Sequence, residues 1–193
     1  MKEVKLLIPT SWEDIDIITY QKYVKIQESK TGDKTKAVKI LSLMCNVKAS
    51  IIRNMDYSDM IKILGVLKKL VDTEPDKTNF RKRFKFKDDE YGFIPNLSNL
   101  TTGEYIDLEE YCKKPIKNLH IIMSILYRKI ISKSGNKYAI ENYDPDEFKE
   151  DLFKGCPMDI ALCCLGFFLT LGERLQTASH NYLKAQEKKK LRV

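Results

Sequence analysis

Long apolar runs are missing from this chain. The longest, Ile160–Leu171, is well short of the ~20 residues that a membrane-spanning helix needs, and Glu173 and Arg174 follow it at once. It reads as a buried core helix. Cysteine is sparse and odd in number, five in 193 residues, which excludes a small disulfide scaffold. No C-x-x-C pair occurs, so zinc at the usual finger spacings is not expected. Cys163 and Cys164 lie inside the apolar run, where cysteine behaves as a small hydrophobe. Histidine is nearly absent: His120 and His180 are the two, and neither has a cysteine or carboxylate at ligand spacing. The eight glycines are scattered and build neither common phosphate-cradling loop. Gly103 and Gly155 suit helix ends. Asp88 and Asp89 fall in a predicted turn, where solvation explains them better than acid–base work. A non-enzymatic protein with no metal and no cofactor is therefore expected. Met1–Pro9 has no apolar signal core and no small-residue cleavage site. With the free thiols, this predicts synthesis in a reducing cytoplasm.

What is present describes an ordinary globular chain. Hydrophobic residues make up 43% and charged residues 32%, which excludes collagen-like, mucin-like and wholly disordered classes. The length is enough for a real core without metal or disulfide staples. Net charge is +7, a mild attraction to polyanions or acidic surfaces. The charge is unevenly placed. Lys184–Val193 carries Lys184, Lys188, Lys189, Lys190 and Arg192 against Glu187, whereas Glu141–Asp151 is acidic with Lys149 as its one cation. Opposed patches suit docking to neighbouring copies or partners, and two solvated surfaces would look the same.

Local chemistry sets out the elements. Glu3–Ile8 reads as a short strand ended by Pro9. Ser11-Trp-Glu-Asp14 resembles a capping box and opens a helix over about Trp12–Glu28, with Ile15, Ile18 and Ile26 inward. Helices follow over about Thr35–Cys45, Lys48–Asn54 and Ser58–Val71. The last has Met60, Ile63, Leu64, Leu67 and Val71 at the spacing of one packed face. Residues 12–71 form a helical sub-region. After Asp72-Thr-Glu-Pro75 the texture changes, and residues 79–95 read as a β-hairpin turning at Asp88–Glu90, to which the N-terminal strand could add. Thr101-Thr-Gly-Glu104 is a second capping box, opening a helix of about Thr102–Cys112 with Tyr105, Leu108 and Tyr111 inward. A helix over about Ile116–Ser132 is predicted on the stripe Leu119, Ile122, Met123, Leu126 and Ile130, then a short strand at Lys137–Glu141. Asp144-Pro-Asp-Glu147 has favourable residues for a helix start, and that helix ends near Gly155. A long central helix runs from Pro157 to about Glu187, buried all round in its first half. Residues 101–187 are thus mainly helical and 188–193 a basic tail. No repeat and no Gly/Ser-rich linker divides the chain, so residues 1–193 read as one domain. The fold class is mainly α (α+β), a helical bundle-like unit with a small antiparallel hairpin or sheet and a long buried C-terminal helix.

One segment stands out as a candidate site. Phe80–Lys87 alternates, with Phe80, Phe84 and Phe86 one way and Arg81, Arg83, Lys85 and Lys87 the other; Lys82 breaks the pattern. The basic face suits a phosphate backbone, and Tyr91 and Phe93 on the partner strand suit base stacking. The favoured reading is plainer: an aromatic face in the core and a basic face solvated or paired with acids. The C-terminal cluster Lys188, Lys189, Lys190 and Arg192 carries the same ambiguity between polyanion and protein partner.

Several stretches carry a resemblance. They are Ile8-Pro-Thr-Ser-Trp-Glu-Asp14; Gly92-Phe-Ile-Pro-Asn-Leu with Leu100-Thr-Thr-Gly-Glu-Tyr-Ile-Asp-Leu108; Asn118-Leu-His120 with Ile125-Leu-Tyr-Arg128; and Cys156-Pro-Met-Asp-Ile-Ala161 running into Gly166-Phe-Phe-Leu169. In order and spacing the chain resembles a poorly characterised protein family of tailed phages and prophages of Bacteroidetes, including crAss-like phages. The resemblance implies a virion structural or assembly protein: a head, head–tail connector or tail component, or a tail-assembly chaperone. It implies other phage structural proteins or self-association as partners, with nucleic acid not favoured and no membrane or small molecule. It implies synthesis in the bacterial host cytoplasm and association with the virion. It carries over no active-site residue.

Overall fold

A computed structural model describes residues 5–73, 79–145 and 151–170. The fold is mixed α+β and mainly α, with a small antiparallel sheet of four strands. Ser11 and Asp14 do form a capping box, but around a single 3-10 turn, Trp12–Asp14. The expected continuous helix is broken there. Ile15 and Asp16 are extended, and Asp16 bridges to Pro157. Ile17 N–H donates to the Cys156 carbonyl at 3.0 Å, and Met158 N–H donates to the Ile15 carbonyl at 2.8 Å. Helix α1 then runs Ile17–Glu28, capped by the Asp16 carboxylate on Thr19 N–H. Its inward residues are Ile17 and Gln21, while Ile18 and Ile26 are half-buried. Three further helices follow: α2 (Asp33–Met44), α3 (Ala49–Arg53) and α4 (Tyr57–Asp72). The α4 stripe centres on Leu67 and Leu70, and Trp12 Nε1 donates to the Thr73 carbonyl just beyond it, at 3.0 Å.

The sheet has the order β1-β2-β3-β4, from Arg83–Phe86, Asp89–Phe93, Tyr127–Ser134 and Lys137–Ile140. The first hairpin turns on Lys87 and Asp88, one residue earlier than expected, with Lys87 at φ 55°. Residues 5–8 form no strand and do not join the sheet. Pairing Phe84 with Tyr91 and Phe93 with Tyr127 puts all four rings on the inner face, where Phe153 packs on Phe84, Phe86 and Tyr91. On the outer face Gly92 leaves room for a ring: a Cβ there would overlap Tyr138, whose hydroxyl donates to the Phe93 carbonyl at 2.7 Å. Tyr138 thus reaches from β4 across β3 onto β2, filling a glycine gap with an aromatic.

Two more helices precede β3: α5 (Thr102–Tyr111), with the second capping box in place, and α6 (Leu119–Leu126). The expected helix to Ser132 ends at Leu126, and β3 begins at the next residue. Ile130 is therefore a strand residue paired with Ile140. On α5, Tyr105 is exposed and Glu104 is buried instead. Residues 158–170 form the last described helix, α7; the rest of the predicted Pro157–Glu187 helix lies outside the described residues. It is well buried to Leu165, but Phe167 and Leu169 emerge. The centre of the core is shared with α6, where Leu119 and Ile121–Leu126 are all buried. Each such aliphatic side chain contributes about 1.5–3 kcal/mol through burial. Of the predicted helix from Asp144, Leu152–Gly155 is a 3-10 turn, and residues 146–150 lie outside the described residues. No helix of the described residues is long and apolar enough to cross a membrane.

Candidate functional site

The basic segment 81–87 does not form one flat cationic face. Arg81 precedes β1. Its carbonyl accepts the Tyr127 hydroxyl at 2.6 Å, and its guanidinium pairs with Asp159 at 3.0 Å and Glu13 at 3.5 Å. It ties the strand to the start of α7 and to the Trp12–Asp14 turn. An acid in the first turn of a helix also suits the helix dipole. Arg83 lies over the Tyr138 ring, 5.8 Å from its centroid, a contact worth about 0.5–1 kcal/mol at an exposed site. Lys87 sits in the turn with its ammonium 5.5 Å from the Phe86 ring. Lys85 is opposite Glu90 in the ladder. Glu90 in turn accepts from Lys133, and that ammonium, with Arg83 and Lys85 beside it, holds the Glu90 carboxyl below its usual value. Lys129 pairs with Asp89 at 2.6 Å. Charges of both signs are thus interleaved around the hairpin, Lys85, Glu90 and Lys133 on its outer face and Asp89 with Lys129 on the Tyr91 side.

Tyr91 and Phe93, which the sequence offered as stacking platforms for bases beside the favoured reading of an aromatic core face, are core residues, 6% and 5% exposed. The register that pairs Tyr91 with Phe84 turns both rings inward. Lys188, Lys189, Lys190 and Arg192 lie outside the described residues.

A buried ion pair went unseen in the sequence. Arg128 on β3 donates to Glu104 on α5, with side chains 13% and 3% exposed. The other Glu104 oxygen accepts from Thr101 N–H at 2.7 Å and Thr101 Oγ at 2.9 Å. Tyr143 lies against the Arg128 guanidinium and donates to Asp107; burial pushes its hydroxyl pKa up. The cluster clips α5 to β3 and to the start of the acidic segment. Thr101-x-x-Glu104 identified the cap, but no local pattern links it to Arg128.

The thiols are free. Burial pushes Cys156 up to about 12 and also raises Cys45, Cys112 and Cys164. A thiol must ionise to act as a nucleophile or metal ligand. Among the described residues no group of three or more His, Cys, Asp and Glu is placed to hold a metal ion.

The apolar surface offers more. A cleft of about 810 Å³ opens beside β4. Phe80 stacks on Phe167 at 4.2 Å, with the rings 10° from parallel, and meets Phe93 edge-on at 5.0 Å. Ile94, Leu97 and Tyr138 complete its apolar walls, and Lys82 and Lys137 stand at its rim. β4 is an edge of the sheet, so its outer N–H and C=O groups have no strand partner among the described residues. Comparison with known proteins finds no matching family model, no matching curated protein and no matching solved structure.

Proposed function

We propose that the chain is a non-enzymatic structural or assembly protein of a tailed bacteriophage particle, acting through protein–protein contacts at the head, head–tail connector or tail. The observation that carries this reading is the aromatic cleft beside the free edge of β4. Stacked rings facing solvent, next to unpaired backbone groups, form the kind of surface on which another chain adds a strand or inserts a side chain. The phage-family resemblance of the sequence supports the same class. Nucleic-acid binding by the strand is the weaker reading, because Arg81 is held by two carboxylates and the rings beside the strand face the core.

Quantitative mass spectrometry of purified particles tests the proposal, alongside a size measurement of the isolated chain. Recovery in a fixed ratio to the major virion proteins supports a structural subunit. Absence from particles removes that form and leaves the tail-assembly chaperone. Loss of incorporation or of partner binding on Phe167→Glu, in a variant that melts like the wild type, would assign the contact to the cleft.

A further inference from the structure

A second groove, of about 780 Å³, lies on another side of the molecule, between α1 and the segment 114–118. On α1, Ile18, Lys22 and Lys25 recur at helical spacing along one face. Across from them stand Lys114, Pro115, Ile116 and Lys117, and Lys154 closes one end. The floor is aliphatic, from Ile18, Val24, Ile116 and Ile121. Lys154 is already paired with Asp151. Lys22, Lys25, Lys114 and Lys117 make no ion pair among the described residues, and Glu28 is the one acid of the lining. Buried Gln21 holds the two walls together: its amide donates to the Ile116 carbonyl at 3.0 Å and the Lys117 carbonyl at 2.8 Å, and lies 3.0 Å from His120 Nδ1. A groove braced this way is formed before anything enters it, which lowers the ordering cost of binding.

We propose that this groove docks an acidic amphipathic segment of a partner protein. The proposal rests on the reading of the chain as one that works through protein contacts, and it adds the chemistry of the partner. The cationic rim selects negative charge, and the aliphatic floor selects apolar side chains at helical spacing. Nucleic acid fits less well, because no Phe, Tyr or Trp lines the groove and its one imidazole, His120, is tied to the Gln21 amide, so bases would have little to stack on.

The test is a fluorescence-anisotropy titration of the full chain at moderate salt. The probe is a labelled peptide of about 18 residues, five helical turns, with leucines on one face and glutamates elsewhere. Controls are the same composition permuted to scatter the leucines, and a labelled oligo-thymidine of equal length. The expected result is binding about tenfold tighter than to either control, falling about tenfold in Lys22→Glu/Lys117→Glu. The independent pair Lys25→Glu/Lys114→Glu should do the same, and both variants should melt like the wild type because these lysines are exposed. Equal affinity for the permuted peptide, equal affinity for the oligonucleotide, or no response to either reversal overturns the proposal. So does a dimer of the chain alone that either reversal dissociates, since the occupant is then a second copy. Particle mass spectrometry is read separately, so a failed titration with the chain present in virions removes the groove and leaves the assembly reading intact.

Discussion

The cations of segment 81–87 and those of the α1 groove are similar in number and opposite in setting. Arg81, Arg83, Lys85 and Lys87 are neighbours in sequence, yet the fold separates them. One is clamped by Asp159 and Glu13, two lie against rings and one faces Glu90 in the ladder. Lys22 and Lys25 are far in sequence from Lys114 and Lys117, yet the fold gathers the two pairs around one apolar trough without ion pairs among the described residues. A dense run of charge is therefore a poor guide to a working surface. What matters is whether the fold supplies counter-charges, and it does so at the strand and not at the groove.

The difference can be broken at several points, the most costly first. Phe153→Ala should remove the ring on which Phe84, Phe86 and Tyr91 pack and cost about 3–5 kcal/mol in urea unfolding. The sheet that holds the basic segment would loosen while the groove walls, pinned by Gln21, are less affected. Glu104→Gln should cost about 3 kcal/mol by the same measurement, since it leaves the Arg128 charge buried without its counter-charge. Arg81→Ala should cost about 1–2 kcal/mol, leaving Asp159 short of its partner. Lys22→Ala should change stability by less than about 0.5 kcal/mol. Equal costs for Arg81 and Lys22 would erase the contrast.

The smallest effect is on pH dependence. Asp14 accepts from Thr10 N–H at 2.9 Å and Ser11 N–H at 3.0 Å. These bonds, Thr10 first, hold its carboxyl below the usual value. A lowered folded-state pKa contributes stability that is fully present above the unfolded value of about 3.9 and is lost as pH falls through the folded value. Asp14→Asn should therefore lower stability at neutral pH, leave the low-pH end of a pH–stability curve nearly unchanged, and so flatten part of its acid limb. It should also weaken the turn that presents Glu13 to Arg81.

Local chemistry was legible in the sequence, and tertiary assembly was not. Both capping boxes, the α4 stripe and the β1–β2 hairpin follow from residues a few positions apart, and all are found. The end of α6 was not readable. Leu119–Ile131 has no proline or glycine, and its apolar residues keep helical spacing as far as Ile130, so nothing local marks the stop. Tyr127 begins a strand because Phe93 on β2 pairs with it, a contact that spacing does not reveal. The inward rings of the hairpin were visible as an alternation, but the inward placement of Tyr91 and Phe93 needed the register. The groove was invisible for the same reason: it exists because Gln21 bonds to carbonyls almost a hundred residues away, and glutamine on a helix is otherwise unremarked.

Two charge reversals read in one assembly experiment decide between the surfaces. Particles would be prepared from cells supplying the chain as Lys22→Glu/Lys117→Glu or as Arg83→Glu/Lys85→Glu, and its abundance relative to the major virion protein measured by mass spectrometry. The expected result is strong depletion of the groove variant and near-normal recovery of the strand variant. Depletion of the strand variant with full recovery of the groove variant would contradict the assignment of the working surface to the dispersed lysines.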